Sequence, residues 1–231
     1  MTTGLFGLNK YERSSKTEMG LTNFQWTLDG AVARSSQPGY TGSDKPHAFG
    51  PVEITYLRSK GINCIISANH LELPKVARTL LTNAGISYYH YQVGDYQPPT
   101  TLQLQTAANV MDTAINGGGR VLVHCGYGEG RTGTFVAGWA MLKYMPRQVN
   151  ADVDDMCNMD FLKPNFGVET PAQMNAVRVA AALAPATVPA ANAGFALPIA
   201  AFGSGPSGIG LPNTAAPAPK FSSVNTDDIE W

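Results

Sequence analysis

Cys125 and Arg131 stand six positions apart in the segment HCGYGEGRTG (residues 124–133), separated by Gly126, Tyr127, Gly128, Glu129 and Gly130. Three glycines in so short a stretch let successive backbone N–H groups turn inward without Cβ clashes, which makes a nest for an anion. An apolar run, RVLVH, precedes the segment and reads as a strand. A helical pattern begins near Arg131, so the positive end of a helix joins the nest. Arg131 can bind two phosphate oxygens as a fork. Cys125 sits under the same N–H dipoles, which favour the thiolate, the form of cysteine that attacks phosphorus. Thr132 can donate a hydrogen bond to the sulfur and help it leave. His124 is expected to orient the loop rather than act as a base.

The segment resembles the signature loop of the protein tyrosine phosphatase superfamily: Cys, five residues, Arg, then Thr, with His in front. The form HCxxGxGRTGT looks like that of small dual-specificity phosphatases. Upstream, NFQWTLDGAVARSSQP resembles the opening of many microbial members, and the likeness ends shortly after VETPAQMNAV. It covers residues 22–183, about 70% of the chain. The resemblance implies a cysteinyl-phosphate intermediate, no metal and no organic cofactor. It also implies a general acid about thirty positions before the cysteine. Asp95, in VGDYQPP, lies at that distance; it would protonate the leaving oxygen and then activate water. Larger tyrosine-specific relatives use a late glutamine to position water, which points to Gln173. The residues themselves also read as a capping box, Thr170-Pro171-Ala172-Gln173, with Pro at the first helical position.

Glu129 bears on the substrate. Relatives acting on phosphoinositides or inositol polyphosphates often carry lysines in this loop, whereas here the loop has no lysine and one carboxylate. At about 4–8 Å from a second phosphate, that carboxylate would cost on the order of 1–4 kcal/mol. A singly phosphorylated protein side chain is therefore favoured, with tyrosine preferred and dual specificity possible. Tyr127 reads either as a rim residue that stacks on a phenyl ring or as a surface tyrosine. A lipid or inositol-phosphate phosphatase, a phosphate-capturing module without turnover and an RNA 5′-phosphatase are the alternatives. Arg34 could support the phosphate loop from beneath, although a strand-end arginine more often lies at the surface. Cys64 reads as a small core residue, and Cys157 as structural or exposed. Phe135 and Trp139 read as core.

These residues need elements to hold them. Strands are expected at AVARSS, 62–67, 86–93 and 120–124. Helices are expected from Pro51 to Lys60 and over 74–84, 100–116, 132–144, 149–162 and 171–184. Strands alternate with helices over 24–145, which implies an α/β domain: a central, largely parallel sheet flanked by helices on both faces. Ligands bind beyond the carboxyl ends of such strands, where the glycine-rich loop falls. Residues 1–21 read as a loose lead-in and 22–184 as the phosphatase domain. Residues 185–231 read as an Ala/Pro/Gly-rich tail, extended or disordered and partly docked through Phe195, Leu197 and Ile199.

Composition narrows the rest. A formal net charge of -1 gives no global field for nucleic acid or anionic membranes. Three cysteines without a CxxC pair read as neither a disulfide framework nor a metal site, and suit a reducing compartment. No secretory signal or membrane-spanning run is visible. The expected setting is cytoplasmic, with export as a bacterial effector left open. The expected partner is a phosphorylated protein; the oligomeric state is not legible.

Overall fold

The structure, a computed structural model, describes residues 5–183. Its sheet has five strands in the spatial order β3 (Gln25–Leu28), β4 (Val32–Ser36), β7 (Arg120–Cys125), β5 (Ile62–Ser67), β6 (Ser87–His90). β4, β7, β5 and β6 run parallel, and β3 is an antiparallel edge. The expected largely parallel sheet is borne out. The single strand read at AVARSS is instead the second arm of a hairpin that turns through Asp29-Gly30, with Gly30 at φ 64. A small ribbon, β1 (Thr17–Glu18) and β2 (Leu21–Thr22), lies before it.

Side chains alternate across the pleat and feed two separate cores. Val32, Cys64, Ile66, Val121 and Val123 face one core; Ala33, Ile65 and Leu122 face the other. The second core is closed by α1 (Pro51–Ser59) and α2 (Lys75–Asn83) through Ile54, Leu57, Ala77 and Leu81. The first is closed by α3 (Thr101–Asn116), α4 (Gly130–Trp139) and α7 (Pro171–Ala182). Helices therefore cover both faces, as the alternation of elements implied. α4 continues through a π-helical turn, Ala140–Tyr144.

Two readings change. The helix expected over 149–162 is broken into α5 (Val153–Met156) and α6 (Met159–Phe166). Asp152 caps the first and Asn158 the second, and each side chain takes over backbone donors that a continuous helix would have used itself. Residues 8–18 are not a loose lead-in. Leu8 is buried, the Asn9 N–H donates to Thr27 O at 2.8 Å, and the Tyr11 N–H donates to Asn165 O at 3.2 Å. The polar composition concealed two apolar anchors with seats on the domain. The expectations for residues 185–231 lie outside the described residues.

Candidate functional site

The loop 125–131 leaves the carboxyl end of β7, the middle strand, and enters α4. Its path is pinned to neighbouring backbone. Gly128 has φ 90, and a Cβ there would lie 2.4 Å from Ser35 C and O, so the loop presses onto β4 as only glycine permits. The Gln37 N–H reaches Cys125 O and Gly126 O at 2.6 and 2.9 Å. The Gly128 N–H donates to Cys125 Sγ at 3.4 Å, and the thiol is buried. At Gly133 a Cβ would come 2.2 Å from Phe166 O, which seats the first turn of α4 tightly against α6.

Beneath the loop lies Arg34, fully buried. Its Nε and Nη2 donate to Gly128 O at 3.1 and 2.8 Å, its Nη1 donates to Phe166 O, and its guanidinium stacks on Tyr11 at 4.0 Å. Burial lowers its pKa to about 10, partly offset by Tyr11 and Cys125. Among the described residues it makes no ion pair with a carboxylate. The surface reading of a strand-end arginine thus gives way to the supporting one. His124 is likewise buried, edge-on to His47 and Phe49, and neither ring nitrogen has a hydrogen-bond partner. Burial, then His47, pushes its pKa well down, which keeps it neutral. Its ring packs between these two neighbours at the root of the loop. The Thr132 hydroxyl is buried and also without a partner.

Above the loop, Arg131 is only 3% exposed and meets two carboxylates. Asp44 takes both prongs, Oδ2 to Nη1 at 2.6 Å and Oδ1 to Nη2 at 2.9 Å, and Asp95 Oδ1 reaches Nη2 at 2.9 Å. Val93 O accepts from Nη1 at 3.2 Å. Burial alone would raise the Asp44 pKa; the hydrogen bond and charge of Arg131 outweigh it and hold the carboxyl below its usual range. Asp95, thirty positions upstream, thus lines one pocket with Cys125 and Arg131. Asp44 was missed: it stands in the Gly/Pro/Ser-rich connection 37–50, where no spacing marks an aspartate as special.

The mouth is aromatic and acidic. Tyr40 and Tyr127 lie 5.7 Å apart, and Tyr96 joins them. Arg13 pairs with Glu129 at 3.4 Å and lies over the Tyr127 ring at 4.8 Å. Glu169, also missed, lines the pocket beside Gly130. Burial raises its pKa, and Glu129 and Asp95 push the same way. Gln173 is fully buried. Its Oε1 accepts from the Glu169 and Thr170 N–H groups at 3.0 and 3.3 Å, and its Nε2 reaches Gln97 O at 3.4 Å. The capping box is real, and the same side chain ties the Asp95 loop to the turn before α7. Among the described residues no group of three or more His, Cys, Asp or Glu could hold a metal ion.

Comparison with known proteins agrees with this geometry. Residues 41–144 match the family model described as "Polymorphic toxin system, DSP-PTPase phosphatase". A curated relative, Tyrosine-protein phosphatase cdc-14 of Caenorhabditis elegans, is 27% identical over 142 residues, which is 60% of this chain but 19% of that protein. Among solved structures, Tk-PTP in a mutant form overlays with a TM-score of 0.52 at 21% identity, covering 69% of this chain and 94% of that one. PTPMT1 in complex with PI(5)P overlays at 0.50 and 14%, covering 67% and 92%. The family match over residues 41–144 and the curated relative make this chain similar to dual-specificity protein tyrosine phosphatases, and its fold is theirs.

Proposed function

We propose that the chain hydrolyses phosphate monoesters through a cysteinyl-phosphate intermediate, and that phosphotyrosine in proteins is its preferred substrate. The observation that carries this reading is the setting of Cys125. Its sulfur sits on the Gly128 N–H, with buried Arg34 beneath the loop and buried Arg131 at the pocket. Two arginines and the Gly128 N–H are placed to meet negative charge first on the sulfur and then on the phosphoryl oxygens. In the first step the sulfur attacks phosphorus, the bond to the leaving oxygen breaks, and Asp95 gives that oxygen its proton. In the second, a water loses its proton to Asp95 and attacks phosphorus. The S–P bond breaks with its electron pair returning to sulfur, and inorganic phosphate departs. Asp44, by filling one edge of the Arg131 fork, fixes the orientation in which the guanidinium meets phosphate.

The tyrosine walls of the mouth suit a flat phenyl ring. The carboxylates Asp44, Asp95, Glu129 and Glu169 disfavour substrates with several phosphates, as the lysine-free loop already suggested. Phosphoinositides and inositol phosphates are the rival substrates on this fold, and a capture module without turnover is the rival activity. The description of the matched family model favours a bacterial effector delivered into another cell, acting on that cell's phosphoproteins. The test is release of phosphate from phosphotyrosine and phosphothreonine peptides, phosphoinositides and p-nitrophenyl phosphate. Phosphotyrosine is expected to lead in kcat/KM, with inhibition by vanadate and indifference to EDTA. Faster turnover of a phosphoinositide would overturn the substrate, and activity of Cys125→Ser equal to wild type would overturn the mechanism.

A further inference from the structure

The charges around the pocket do not balance. Even with Asp95 carrying the proton it is to donate, three carboxylates, from Asp44, Glu129 and Glu169, line the pocket with two guanidiniums, from Arg13 and Arg131, while the Arg34 guanidinium lies beneath the loop and does not line it. Both guanidiniums are already committed: Arg131 to Asp44 and Asp95, Arg13 to Glu129. Glu169 has no cationic partner among the described residues, and it is half-buried, so its charge is poorly solvated. A phosphate dianion entering this pocket adds negative charge to a mouth that already has a surplus.

The mouth also holds a stand-in for what it lacks. Arg13 comes from the N-terminal segment and is 69% exposed, yet its guanidinium lies on the Tyr127 face and against the Glu129 carboxylate. A cation between an aromatic face and a carboxylate is the arrangement this mouth accepts. Tyr40 and Tyr96 offer further aromatic surface beside it, and Glu169, held against Gly130, offers a carboxylate with no ion pair among the described residues.

We infer that the preferred substrate, on the reading proposed above, is a phosphotyrosine flanked by arginine or lysine, whose positive side chains settle on Glu169 and on the Glu129–Tyr127 rim. Such a partner offsets the surplus charge when the phosphate enters. An acidic flank adds to it. The preference is electrostatic, so salt weakens it.

The test uses three phosphotyrosine peptides of one length, with arginine, alanine or glutamate on both sides of the tyrosine. Each is assayed at low salt and at high salt, beside p-nitrophenyl phosphate, which has no flank. The arginine peptide is expected to exceed the glutamate peptide at least about tenfold in kcat/KM at low salt, and by much less at high salt. Glu169→Gln is expected to shrink that ratio several-fold. The ratio is taken within each enzyme, so any loss of basal turnover cancels. Equal kcat/KM for the three peptides, or preference for the acidic one, overturns the inference while p-nitrophenyl phosphate turnover leaves the phosphatase reading standing. An unchanged ratio in Glu169→Gln removes Glu169 from it. Failure to hydrolyse any of these esters defeats the phosphatase reading, and the inference with it.

Discussion

The loop 125–131 and the loop 94–99 face each other across the pocket but are held by opposite means. The first is buried, pressed onto β4 through Gly128 and gripped from below by Arg34. The second is mostly exposed, turns through Tyr96 at φ 57, and is tied down by the Asp95–Arg131 pair and the Gln173–Gln97 hydrogen bond. The tasks proposed for them would explain the difference. A thiolate and a phosphate need fixed dipoles that cost no rearrangement when charge develops. A proton donor needs to take up its proton again from solvent, and a loop that a substrate passes needs room to yield.

That contrast can be broken first at the buried loop. Cys125→Ser is expected to lower turnover at least about a thousandfold while phosphate binding, read by thermal shift, persists. Next, Asp95→Asn is expected to cost about 10²–10⁴ in kcat, most for leaving groups of high pKa, with little change in melting temperature, because the Asp95 side chain is 65% exposed. Arg34→Met should behave in the opposite way. It strands the buried Gly128 and Phe166 carbonyls, so denaturant unfolding should show a loss of roughly 2–5 kcal/mol along with weakened vanadate binding. Gln173→Ala cuts the one side-chain tie between the loop 94–99 and α7. A several-fold fall in kcat is expected, with roughly 1 kcal/mol of stability lost with the cap.

The smallest effect concerns pH. His124 and His47 are buried with their pKa values lowered, mainly by burial, so below about 6.5 the unfolded chain binds more protons than the fold. Their contribution is complete above about pH 6.5 and declines as pH falls toward the lowered folded values. Asp44 acts with the same sign further down: its contribution is complete above the ordinary carboxyl range and is lost as pH falls through its lowered value. Melting temperature followed from pH 8 to pH 5 should show the histidine part, and His124→Phe should flatten it.

What sequence revealed follows the same division. The loop 125–131 is contiguous, and its glycines, cysteine and arginine announce themselves by spacing. Asp95 was legible only through the family resemblance, which sets an acid at about its distance from Cys125. Asp44 and Glu169 were not, because each reaches the pocket by a turn of chain whose direction depends on packing rather than on pattern. Arg34 could be named but not placed, since a strand-end arginine becomes a buried support only when a neighbouring loop lies across it. The parallel sheet was readable from alternating elements, whereas the β3–β4 hairpin was hidden by the short turn at Asp29-Gly30. Residues 8–18 were misjudged because two anchors, Leu8 and Tyr11, carry the segment among many polar neighbours.

That segment has a consequence for the order of assembly. Its hydrogen bonds reach Asn165 from Tyr11 and Tyr127 from Ser14, spans of well over a hundred positions. The bonds to Asn23, Gln25 and Thr27 can form once the hairpin has been made, whereas those to Tyr127 and Asn165 wait until those residues have emerged from the ribosome. Contacts so distant in sequence carry a large loop-closure cost and form late. The Tyr11 ring and the Arg34 guanidinium it stacks on are both made early, whereas the Gly128 and Phe166 carbonyls that Arg34 holds come late.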